Sequence, residues 1–177
     1  MRGNRFSSGA GRVTLNALFT ALAFISLFFS AILPTGQLGL VAAAGLFPAA
    51  SVISGGGLPA GVLCYGAVGI LGIFLLPSKG SALLYLMFFG LYPLLKHLIE
   101  RLDRLPLEWV CKLLTCNVAL TLFWFFMRAL VLAQVPDALA APWVFYLAGT
   151  AAFVAYDLGL SGILAFYTKR IHNAIFR

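Results

Sequence analysis

Two polar residues deep inside apolar blocks are the first candidates for chemistry, Asp157 and Asn117. Counted at 1.5 Å per helical residue from the ends of their blocks, both lie about 15–16 Å deep. If the blocks cross a membrane, an ionisable group at that depth costs roughly 2.5–3.5 kcal/mol on insertion scales. We therefore predict that Asp157 and Asn117 hydrogen-bond across neighbouring helices. The pair would serve either as a structural link or as part of a proton or substrate site.

Arg128 is the second candidate, because it is a cation near the far end of another apolar block. Its guanidinium could hold a carboxylate bidentately, and Trp124, four residues earlier, shares its helix face. Tyr85 and Tyr146 are expected at a similar depth, where aromatic rings could cover an apolar ligand. The same residues also fit a simpler interpretation, in which Arg128 reaches up to the membrane surface and the aromatic residues form an interfacial belt.

The composition places these residues in an integral membrane protein. Of the 177 residues, 62% are apolar and 10% are charged, against about half and a quarter in soluble domains. Apolar blocks of about 20 residues are long enough to cross a bilayer as helices. We predict an all-α, six-helix transmembrane bundle in one domain, residues 1–177, with spans at 13–33, 38–53, 58–76, 81–101, 107–133 and 141–168.

The basic residues predict the orientation of this bundle. Twelve Lys and Arg stand against five Asp and Glu, and most of them fall on the side of the two termini. The positive-inside rule therefore places both termini in the cytoplasm and Lys79 outside. The charged stretch 96–104 is expected to be a solvated connector that touches anionic headgroups. Because the basic residues read as topology signals, no nucleic-acid partner is expected.

Motifs for enzymatic chemistry are missing from the sequence. It has no Walker, HExxH, GxSxG or dinucleotide-binding pattern, so we expect no enzyme activity and no cofactor. Cys64, Cys111 and Cys116 lack a CxxC spacing and are expected to be packing residues rather than metal ligands. The apolar run after the basic N-terminus is too long for a typical signal peptide, so we expect it to be retained.

The first predicted helix carries Ala17 and Ala21, a small-xxx-small spacing that lets another helix approach closely. Together with the chain length, the six spans, the cytoplasmic termini and the nearly charge-free body, this motif resembles the S components of energy-coupling factor (ECF) transporters. The resemblance implies a bacterial plasma-membrane subunit that captures a vitamin or other small organic solute from outside. It also implies docking of Ala17 and Ala21 on a transmembrane coupling subunit driven by two cytoplasmic ATPase subunits.

By the same resemblance, the ligand would lie near the outer face, under a lid formed by the loop 34–40, which contains Gln37. Ligand-binding residues would then be Arg128, Trp124, Tyr146, Tyr85 and Gln37, and Arg128 would favour an anionic solute. The alternative is a structural or assembly protein of a cell-envelope complex, resembling the rod-shape protein family, with no pocket. A membrane enzyme ranks third, because it would need several convergent polar residues at one membrane face, and the cytoplasmic face offers charges without an obvious catalytic set.

Overall fold

The fold is seen in a computed structural model, which describes residues 9–33, 35–100, 105–131 and 142–172. These residues are helical almost throughout, and no strand occurs among them. The α-helices, in chain order, are α1 (Gly9–Ile32), α2 (Gln37–Ser51), α3 (Gly57–Leu75), α4 (Lys79–Leu84), α5 (Leu91–Ile99), α6 (Leu105–Val131) and α7 (Pro142–Phe166). The all-α prediction is therefore confirmed for this part of the chain.

Wider π-helical segments extend or join several of these helices: Val52–Gly56 after α2, Tyr85–Phe89 between α4 and α5, and Tyr167–His172 after α7. Pro93 accounts for the middle segment, since proline has no N–H for the carbonyl oxygen four residues earlier and its ring crowds that group. That carbonyl belongs to Phe89, and it accepts the Tyr156 hydroxyl at 3.4 Å instead. Irregular turns of this kind are frequent at functional sites.

Five helical stretches in the described part are long and apolar enough to cross a membrane: Gly9–Ile32, Gln37–Ser54, Gly57–Leu75, Lys79–Ile99 and Trp143–Lys169. Helices of this kind are typical of a multi-pass membrane protein. The α6 helix is 27 residues long but is not among the five. A sixth span and the orientation of the termini remain predictions.

The stretch from α4 to α5 runs in one direction, and otherwise successive helices alternate in direction, so the bundle has two ends. The N-terminal end, where α1 begins, also holds the ends of α2 and α7: the Ser54 hydroxyl lies 2.6 Å from the Tyr167 hydroxyl. At the opposite end, where α2 and α4 begin, the Gln37 amide donates to Ser81 at 2.7 Å. At the N-terminal end, the turn into α3 depends on Gly57, whose φ of 65° is one that other residues rarely adopt.

The buried core has two main parts. The first joins α1 to α4 and contains Ala23, Leu27, Val41, Ala44, Val68, Leu76, Ala82 and Tyr85. The second joins α5, α6 and α7 and contains Tyr92, Cys116, Leu120, Phe153 and Leu160. All the polar features described next lie beside this second core.

Candidate functional site

A network of charged side chains is buried where α5, α6 and α7 meet. Its centre consists of Lys96 from α5, Lys112 from α6 and Asp157 from α7, which are only 2%, 4% and 4% exposed. Charged residues are almost never buried this deeply unless they are paired. The arrangement of their partners is therefore the main polar feature of the described structure.

Asp157 lies between the two lysines. Its Oδ1 atom accepts the Lys96 ammonium and the Tyr92 hydroxyl, the latter at 2.5 Å, while Oδ2 lies 3.4 Å from Lys112 Nζ. Lys96 Nζ also donates to the Ser161 hydroxyl at 2.7 Å. The carboxylate of Asp157 on α7 is thus satisfied by groups from α5 and α6, as a buried charge requires.

Two glutamates complete the network from the N-terminal end. Glu108 accepts Lys112 Nζ at 2.6 Å, one helical turn away on α6. Glu100, which directly follows α5, places a single oxygen 3.3 Å from Lys96 Nζ and 3.9 Å from Lys112 Nζ. The Glu100 side chain is 47% exposed. The two lysines therefore balance the two more buried carboxylates, Asp157 and Glu108, and Glu100 is an additional, accessible anion.

A polar cavity of about 270 Å³ opens beside this network at the N-terminal end. Lys96, His97, Glu100, Ser161 and Thr168 supply its polar lining, and the other lining residues are Ala49, Val52, Ile53, Pro93, Leu164 and Ala165. Val52 and Thr168 belong to two of the π-helical segments. The cavity can offer both a buried ammonium and an exposed carboxylate to a bound molecule.

Two apolar cavities lie along the same interface. The one nearer the opposite end, here called the outer apolar cavity, has a volume of about 250 Å³ and is lined by Leu38, Leu84, Phe88, Phe89, Ala119, Leu120, Phe145, Gly149, Ala152 and Phe153. The other, of about 290 Å³, shares Phe88, Ala119 and Phe153 with it and extends to Tyr92 and Leu95. In the wall that the two cavities share, the Phe88 and Phe153 rings pack edge to face, with their centroids 5.8 Å apart.

The predicted pairing of Asp157 with Asn117 is not formed. Asn117 is exposed, and its amide donates to the Leu113 carbonyl on its own helix at 2.9 Å. Asp157 is bound by Tyr92, Lys96 and Lys112 instead. Equal depth on two helices did not ensure that the two side chains face each other, because the rotation of each helix about its axis decides that.

The stretch 96–104 was expected to be a solvated connector, but its first residue is not solvated. Lys96 is buried in the network, whereas Glu100 is half exposed. Residues 101–104 lie outside the described part. A lysine at a helix end normally extends to water, but here Asp157 of the facing helix provides a counter-ion inside the bundle.

The predicted ligand-binding residues fall into separate places. Gln37 bonds to Ser81, and Tyr85 is fully buried in the first core. The rings of Trp124 and Tyr146 both pack against the Phe145 ring, with centroids 5.0 and 5.8 Å from the Phe145 centroid. Phe145 in turn lines the outer apolar cavity. The Arg128 side chain lies outside the described part. Among the residues described, the structure thus brings Trp124 and Tyr146 together and leaves Tyr85 and Gln37 elsewhere.

Ala17 and Ala21 are exposed on α1. The opposite face of this helix, formed by Leu15, Phe19, Ala23 and Leu27, is buried against its neighbours. The small-residue face thus points away from the bundle.

Sequence reasoning missed Lys96, Lys112, Glu100 and Glu108 as members of one network. A signal was present, because Lys96 and Glu100, Glu108 and Lys112, and Asp157 and Ser161 are each four residues apart. Residues at this spacing share one face of a helix. Three such polar pairs on otherwise apolar helices indicate faces that are turned toward each other.

Comparison with protein-family models, curated proteins and solved structures gives no match for this chain. The class is therefore defined by the structure alone: in its described part the chain is all-helical, with five helices suited to crossing a membrane and a buried ion-pair network next to the polar cavity.

Proposed function

We propose that the chain is a substrate-binding membrane subunit of an ECF-type importer, which captures a small organic solute from the outside. In this proposal α6 also crosses the membrane, which makes six spans, and both termini are cytoplasmic, so the end where α2 and α4 begin faces outward. The excess of basic residues near the termini supports this orientation.

The outer apolar cavity is the observation that carries the proposal. It lies between the fourth span, α6 and α7, in the half of the bundle that would face outward. Ligand pockets are mostly apolar and contain few polar groups that orient the ligand. Four of the ten lining residues are phenylalanines and the other six are also apolar, which suits a solute with an apolar or aromatic body. Arg128, later on the same helix as Ala119 and Leu120, is the proposed partner for an anionic group on that solute.

The exposed face of α1 supports the partner in this proposal. Ala17 and Ala21 provide a flat, accessible strip on which a helix of a coupling subunit could pack closely. Tryptophan in place of Ala17 is expected to abolish co-purification with the coupling and ATPase subunits and to leave solute binding intact. Tryptophan in place of Leu63, which is exposed on α3, is the matched control.

The solute itself is to be identified by mass spectrometry of small molecules released from the protein purified in mild detergent. Ala152→Trp fills the outer apolar cavity and is expected to lower the amount of bound solute at least about tenfold, as the loss of roughly 1.4 kcal/mol would. Ala151→Trp changes a neighbouring exposed residue that does not line the cavity. Equal retention of solute by both variants would contradict the proposed site.

A structural or assembly protein of a cell-envelope complex is the second candidate, and the ion-pair network favours it. Polar groups that bond across helices hold membrane bundles together, and Asp157 links three elements in this way. Under this function no solute would co-purify, and Ala152→Trp would leave all interactions with other proteins unchanged.

A further inference from the structure

We infer that the polar cavity at the N-terminal end is a second binding site, which takes a phosphate-type anionic group at the position now held by the Glu100 carboxylate. This inference is independent of the proposed solute site, which lies at the opposite end of the bundle. It rests on the geometry of Lys96, Lys112 and Glu100 and on the space beside them.

The first step is the position of the Glu100 oxygen. One atom, Oε1, lies 3.3 Å from Lys96 Nζ and 3.9 Å from Lys112 Nζ. The two ammonium groups come from different helices, yet both lie within ion-pair distance of the same oxygen. They are fixed in place by their bonds to Asp157 and, for Lys112, to Glu108. The two lysines therefore form a preorganised site for an anionic oxygen.

The second step is that Glu100 can be exchanged. Its side chain is 47% exposed, so water screens this carboxylate more than it screens Asp157, and its pairing with the lysines is the weaker one. Lys96 and Lys112 keep Asp157 and Glu108 when Glu100 turns away, so its departure leaves no buried lysine unpaired. An incoming anion would take the place of Glu100 at little cost.

The third step is the space and the other donors at this position. The cavity of about 270 Å³ is large enough for a phosphate group and the atoms attached to it. His97 and Thr168 line it next to Lys96, and imidazole and hydroxyl groups donate hydrogen bonds to phosphate oxygens. The same group could belong to an anionic lipid headgroup or to a soluble phosphate compound, and the two sources are separated by experiment.

The test uses Glu100→Gln, which removes the competing charge and keeps the side-chain shape. The full chain is placed in phosphatidylcholine nanodiscs, and binding is measured with increasing phosphatidylglycerol in one arm and with inorganic phosphate in the other. Wild type is expected to show saturable binding in one arm, and Glu100→Gln is expected to bind about three- to tenfold more tightly in that arm. A gain in affinity at a saturable site is not the loss of binding that a variant unable to fold would show.

Asp103→Asn is the matched control, because it removes the same charge three residues further along the chain. An equal gain in this control would overturn the site, since it would show a general effect of net charge. Absence of saturable binding in both arms, for wild type and for Glu100→Gln, would also overturn it. Saturation by phosphatidylglycerol identifies a lipid headgroup as the occupant, and saturation by phosphate identifies a soluble anion.

Discussion

Replacing Asp157 by Asn should be the most destabilising single change in the network. The variant leaves Lys96 with Glu100 as its one remaining carboxylate partner in the network, 3.3 Å away and half exposed, while Lys112 keeps Glu108 at 2.6 Å. Removing one partner of a buried ion pair costs about 3–5 kcal/mol, and the half-exposed Glu100 compensates the buried Lys96 charge only in part. We expect a loss of this size in the free energy of unfolding.

Replacing Lys96 by Met should cost less. Asp157 then keeps the Tyr92 hydroxyl at 2.5 Å and Lys112 Nζ at 3.4 Å, so the loss is closer to that of one charged hydrogen bond, about 1.5–3 kcal/mol. The double variant has neither charge, and Lys112 remains paired with Glu108. Its cost should be at least about 2 kcal/mol smaller than the sum of the two single costs.

The native cysteines provide the assay. Cys64 and Cys116 are fully buried, so a thiol-reactive fluorophore labels them only as the protein unfolds. Cys111 is partly exposed and is replaced by Ser to lower the background. Unfolding is titrated with denaturing detergent in mixed micelles, and Lys79→Met, an exposed lysine, is the control. If the double variant lost as much stability as the two single variants together, Asp157 and Lys96 would not be coupled and our account of the network would be wrong.

Three further predictions test the packing and the topology. Gly45→Ala should destabilise the protein by about 1–3 kcal/mol, because the added Cβ would overlap a backbone carbonyl oxygen of the segment Tyr85–Phe89. Gly66 has open space around it, so Gly66→Ala should have no such cost in the same titration. Tyr92→Phe should cost about 1.5–3 kcal/mol, since it removes a buried donor to Asp157; unchanged stability would refute that bond. A cysteine at position 79 should react with an impermeant thiol reagent in intact cells, and protection there would reverse the proposed orientation.

Most of the helices could be predicted from the sequence, because long apolar runs are recognised from length and hydropathy. Long apolar runs leave the backbone no partner but itself, and Pro34, Gly57 and Pro77 fall close to where those runs end. Pro48 lies inside the second run, and α2 continues through it, so the prediction of one helix there is correct. What hydropathy could not show is that α6, with Glu108 and Lys112 in its first turns, has its charges turned into the bundle.

Only part of the candidate site could be predicted, because hydropathy gives the depth of a residue in its helix but not the direction in which the residue faces. Asp157 was identified by its depth, which depends on its position in one helix. Its partners depend on how three helices are rotated about their axes, and Lys96 and Lys112 each had a simpler interpretation as residues at a cytoplasmic helix end. Pairing Asp157 with Asn117 followed from depth alone, and the structure shows that Asn117 is exposed.

The positions of the cavities and of the network give the network a role in the proposed function. The two apolar cavities run along α6 and α7 from Leu38 at one end to Tyr92, and the Tyr92 hydroxyl is bonded to Asp157. An apolar solute that entered from the outer end would meet, beyond Tyr92, a layer of fixed charges that offers it no favourable contacts. The network would therefore close the bundle toward the termini, as a subunit that binds a solute from one side requires.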